Sequence, residues 1–155
     1  MRTAADLPDN IRQLVIDGRD AWYEREYEAA RTIFEKVLRI AQRSGDRFGE
    51  AAAYHFLGNV AFNECRDDAS RRLHILALEI SRAEADDQGV ATSLGSIAYV
   101  DFAEGDRDAA RRNWEAAARA YEAAEMPEAA RSLREKANDL LEGRTALETI
   151  VHRVC

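Results

Sequence analysis

Apolar residues recur at helical spacing along nearly the whole chain, as in Leu73, Leu76, Ala77 and Ile80, and no alternating apolar–polar run appears. The pattern predicts helices over about 9–23 and 27–43, 49–62 and 68–83, and 90–103 and 107–123. Short breaks separate them at Ser44-Gly45-Asp46, Cys65-Arg66-Asp67, Asp86-Asp87-Gln88-Gly89 and Glu104-Gly105-Asp106, rich in the glycine and aspartate that end and start helices. Pro127 suits the first turn of a further helix over 128–142, with Gly143 as its C-cap. Thr145-Ala146-Leu147-Glu148 has capping-box spacing and predicts a last short helix to about residue 153, with Leu147, Ile150, Val151 and Val154 on one face.

The helices come in pairs, and the pairs repeat every 40 residues. Gly18, Gly58 and Ala98 form one column, Trp22, Phe62 and Phe102 another, and Arg31, Arg71 and Arg111 a third. Phe34, His74 and Trp114 align, as do Val37, Ala77 and Ala117, and each unit ends near Gly49, Gly89 or Ala129. A period of this length means stacked supersecondary units. The expectation is one domain over 1–155, with units at about 9–48, 49–88 and 89–126 and a partial fourth at 127–155.

Within the columns, Tyr54, Leu57, Gly58, Ser70, His74 and Ala77 of the second unit reproduce a bulky–Leu–Gly…small…aromatic…small pattern. Leu94, Ile97, Ala98, Ala110, Trp114 and Ala117 do so in the third unit, and Leu14, Asp17, Gly18, Ala30, Phe34 and Val37 in the first. This resembles the tetratricopeptide repeat (TPR) family. The longer period, and the lack of a unit-ending proline before Pro127, resemble the variant of bacterial regulatory proteins. The resemblance implies an all-α, right-handed α-solenoid of three helical hairpins, a partial fourth and a C-terminal capping helix. It implies small residues such as Gly18 and Gly58 where paired helices approach closely. It also implies a non-catalytic protein–protein interaction module whose first helices line a concave groove.

The stripe that would face that groove is Arg12, Val15, Arg19 and Tyr23, then His55, Asn59 and Asn63, then Thr92, Ser96 and Tyr99, then Arg131, Arg134 and Asn138. It holds cations and amides and no carboxylate, so the expected partner is a protein or peptide segment that is acidic or bears a free carboxylate. His55, Asn59, Ser96 and Arg131 take places comparable to the family's carboxylate clamp, but its lysine is missing and a serine replaces an asparagine. Two other classes stay open: a small-molecule sensor or atypical enzyme using the same groove, with His55 as general base, and a structural subunit of a larger assembly.

A net charge of −7 argues against nucleic acid, which demands a basic face. No apolar run is long enough to span a bilayer and no signal segment is readable, so a cytoplasmic protein is expected. No Walker A, GxGxxG, GxSxG or HExxH motif occurs, and neither cofactor nor metal is implied. Cys65 and Cys155 read as incidental thiols, His74 as a packing residue, and Arg71-Arg72 and Arg111-Arg112 as a solvated outer face. The terminal helix would cap its own fourth unit or form a homodimer contact, leaving monomer or homodimer as the expected states.

Overall fold

The computed structural model describes residues 8–143. Seven helices follow one another: α1 (Asp9–Tyr23), α2 (Tyr27–Ser44), α3 (Arg47–Asn63), α4 (Asp67–Ala83), α5 (Asp87–Ala103), α6 (Arg107–Ala123) and α7 (Pro127–Leu141). Each packs on its sequence neighbours, and α3 also touches α1 and α5, so the first helices of successive hairpins form one layer. Three hairpins and the first helix of a fourth are present, with no strand among the described residues. The expected terminal helix, and with it both the capping and the homodimer expectation, lies outside the described residues.

Chemistry repeats every 40 residues, but the backbone repeats every 20. Helices α3 to α6 are each 17 residues long. Left-handed residues stand at 25, 45, 65, 85, 105 and 125. After each, the next N–H closes onto the carbonyl five residues back, as in Glu26 to Ala21, Arg66 to Ala61 and Asp106 to Asp101, all at 2.9 Å. These bonds satisfy carbonyls that a helix end otherwise leaves unpaired. Of these six, Gly45 and Gly105 adopt this conformation freely, as Gly143 does after α7; Arg25, Cys65, Ala85 and Glu125 adopt it without that freedom.

Helices α3 and α5 begin before the glycines that suggested a boundary. Asp46 and Asp86 are their N-caps, accepting the backbone N–H of Gly49 at 3.2 Å and of Gly89 at 3.0 Å. A Cβ at Gly49 would lie 2.8 Å from the Asp46 carboxylate, so these glycines make room for a cap rather than end a unit.

The hairpins close around the aromatic column. Phe34, His74 and Trp114 are all buried. A Cβ at Gly18 would meet the Phe34 ring at 2.8 Å, and one at Gly58 the His74 ring at 2.6 Å. Small residues therefore let the paired helices approach, as the repeat implied.

Of the four arginines expected on a solvated face, Arg72 and Arg112 are exposed, whereas Arg71 and Arg111 are half-buried. Arg71 bonds Asp101 of α5 at 2.6 Å and also pairs with Glu104, while Asp101, 3% exposed, accepts a second bond from Asn113 at 2.6 Å. Arg111 pairs along its own helix with Glu115 at 2.7 Å. Arg31 and Arg71 of that column reach the C-terminal ends of the next first helices, at Glu64 and Glu104, which strict helical periodicity cannot reveal. Cys65 is disulfide-bonded rather than an incidental thiol; the chain's other cysteine lies outside the described residues.

Candidate functional site

The first-helix layer carries a cavity of about 240 Å³ centred on α3. One wall is α1, with Val15 and Arg19; α3 supplies Phe48, Ala51, Ala52, His55 and Phe56. The far wall is the α4–α5 junction, with Ser81, Asp86, Gly89, Thr92 and Ser93. The α1 and α3 walls are mainly apolar and the α5 wall is polar. Arg19 is exposed and makes no ion pair among the described residues.

His55 sits half-buried between these walls. The amide nitrogen of Asn59 donates to its Nε2 at 3.1 Å, leaving the proton on Nδ1, which is enclosed and has no hydrogen-bond partner. The His74 ring stands behind it, centroid to centroid 5.4 Å. Burial lowers the His55 pKa to about 4. Burial, and secondarily the repulsion of a charged His55, hold His74 well below its usual value. Both rings are neutral at physiological pH, and a histidine that weakly basic is poorly matched to general-base work near pH 7.

Of the expected stripe, the cavity brings together Arg19, His55 and Thr92, with Val15 beside them. The other residues are placed elsewhere or engaged by the scaffold. Asn63 accepts the indole N–H of Trp22 at 2.8 Å, and exposed Tyr23 packs on that same indole. Tyr99 stands edge-on to Trp114 with the Lys136 ammonium 6.0 Å from its ring centre. Arg12 lies 3.0 Å from Asp9 and Arg131 3.3 Å from Glu128, each one turn along its helix. Arg134 makes a two-pronged pair with Glu122 of α6, which holds that carboxyl below its usual range. Ser96 is half-buried and Asn138 exposed, and neither lines the cavity.

The stripe itself holds no carboxylate, but the cavity beside it does. Asp86 reaches the cavity because the turn before α5 folds its side chain back over Gly89. Ser81, Ser93 and Asp86 were missed because two come from a second helix and a turn, and Ser93 from a buried position. The available signal was the polar change of Ala41 to Ser81 and Ala53 to Ser93 at 40-residue spacing. Among the described residues no cluster of three or more metal-ligating side chains occurs, and no helix is long and apolar enough to cross a membrane.

Stacked helical hairpins with an open, half-polar inner layer define a helical-repeat scaffold. The fold is similar to the crystal structure of the TPR domain of Arabidopsis FLU, with a TM-score of 0.66 and 25% sequence identity over 73% of this chain and 95% of that one. No protein-family model matches the sequence, and no curated protein matches it. The chain has the TPR-like solenoid fold that its repeat implied, and that likeness supports a protein–protein interaction module.

Proposed function

We propose that the first-helix layer binds a segment of a partner protein bearing a carboxylate, with Arg19 as its principal contact and His55 and Thr92 lining the same cavity. One observation carries this reading: Arg19 stands beside the mainly apolar α1 and α3 walls of the cavity with no ion pair among the described residues, in a protein where most arginines near the stripe already hold a carboxylate. An unpaired guanidinium beside apolar surface suits a carboxylate whose neighbouring side chain is apolar. The cavity falls below the roughly 300–1,000 Å³ of small-molecule sites, which favours a side chain over a free metabolite. Further stripe residues, among them Asn59, Ser96 and Asn138, extend the contact as a polar rim.

The test is capture of partners from native extract by the wild type and by Arg19→Glu. Reversing the charge should remove an acidic partner, while Arg134→Glu should matter less because Arg134 already holds Glu122. A partner retained undiminished by Arg19→Glu would overturn this assignment.

A further inference from the structure

The cavity wall formed by α4 and α5 is more polar than the fold requires. Ser81 and Ser93 are each 2% exposed and line the cavity, and neither hydroxyl makes a hydrogen bond among the described residues. Forty residues earlier, at the junction of the first and second hairpins, the same two places hold Ala41 and Ala53, both fully buried in an apolar cluster. Alanine is therefore sufficient for packing there. The two hydroxyls open onto the cavity instead of being sealed in the core, so their hydrogen-bonding capacity is offered to a polar guest.

Asp86 adds a carboxylate to this wall. One oxygen accepts the Gly89 N–H at the start of α5, where the helix dipole already offsets negative charge. The wall thus offers hydroxyls and a partly satisfied acceptor, while Arg19 faces it across α3 and disfavours a second cation. Val15, Phe48 and Phe56 give the rest of the lining an apolar, partly aromatic character. A guest that matches has an apolar ring and a neutral group able both to donate and to accept.

Resting on the protein-binding reading above, we propose that the cavity receives a tyrosine side chain of the partner, hydroxyl against Ser81, Ser93 and Asp86, with an adjacent acidic residue of the same segment against Arg19. The phenol donates to the Asp86 carboxylate and accepts from a serine hydroxyl, and its ring lies on the phenylalanines.

The probes are blocked pentapeptides, acetyl-Gly-Asp-Tyr-Asp-Gly-amide and its counterparts with Phe, Leu or Lys in the central place, titrated by NMR against the whole chain. The Tyr peptide should bind about tenfold more tightly than the Phe peptide. In Ser81→Ala/Ser93→Ala, which restores the residues of the preceding junction, that ratio should fall close to one while Phe-peptide binding persists. Equal binding of Tyr and Phe peptides to the wild type, or preference for Lys, overturns the tyrosine assignment and leaves the acidic-partner reading intact. A peptide with both Asp replaced by Asn that binds undiminished overturns the role of Arg19 instead. Binding of p-cresol as tight as the Tyr peptide makes the site one for a free small molecule, and no binding of any probe overturns both proposals.

Discussion

The first and second inter-hairpin junctions, α2 on α3 and α4 on α5, share a backbone and differ in polarity. At the first, Phe34 fills the hairpin, Ala41 and Ala53 pack the seam, and Arg31 pairs with Glu64 at the surface. At the second, the same places hold His74, Ser81, Ser93 and Arg71, and Arg71 reaches a buried carboxylate, Asp101. The first is closed by apolar packing, whereas the second keeps buried polar groups and forms one wall of the cavity. A shared backbone period therefore tolerates either solution, apolar packing at one junction and buried polar groups at the next.

The sharpest way to break this comparison is at the arginines. Arg71→Ala strands the Asp101 carboxylate with only Asn113 and should cost about 3 kcal/mol in urea unfolding. Arg31→Ala removes a pair whose arginine is 37% exposed and should cost at most about 1 kcal/mol. Equal losses would mean that the second junction is no more dependent on its charges than the first.

Acid should separate the junctions next. His55 and His74 have folded pKa values below the unfolded value of about 6.5, so between that pH and about 4 the unfolded chain binds more protons. Stability contributed by the neutral rings is present above pH 6.5 and is lost on acidification through that window, by up to about 1.4 kcal/mol per pH unit for each histidine. His74→Phe, which copies the first hairpin, should flatten this slope by roughly half. An unchanged slope would place the acid sensitivity elsewhere.

The smallest effects come from the glycines. Gly58→Ala drives a methyl into the His74 ring and should destabilise by about 1–2 kcal/mol, with Gly18→Ala against Phe34 similar or slightly milder. Gly95 meets nothing closer than Leu133 at 4.0 Å, so Gly95→Ala should stabilise α5 by roughly 0.5–1 kcal/mol. Thermal unfolding of the three variants checks the order, and a destabilised Gly95→Ala would contradict the open space around that position.

Much of this architecture was legible in the linear chain. The pairing of Gly18 with Phe34 and of Gly58 with His74 follows from 40-residue columns, because each unit repeats the same local packing problem. The helix ends were harder. Arg25, Cys65, Ala85 and Glu125 close their helices in the left-handed conformation without a glycine to mark them, and Gly49 and Gly89 lie inside helices because a cap carboxylate needs their space. The Arg71–Asp101 contact was misread because periodicity assigns a residue to a face of its own helix and says nothing about the length of an arginine side chain.

What the sequence determined by itself was therefore the repeat, the helical class and the identity of the buried column, since these depend on contacts within a unit. The cavity was decided only in three dimensions. Its walls come from α1, α3 and the α4–α5 junction, residues as far apart as Val15 and Ser93, and it joins an exposed arginine to two buried serines and a cap aspartate. No periodic rule links those positions. Only the stacking of successive hairpins brings them together, and it does so at the junction where alanines have given way to serines.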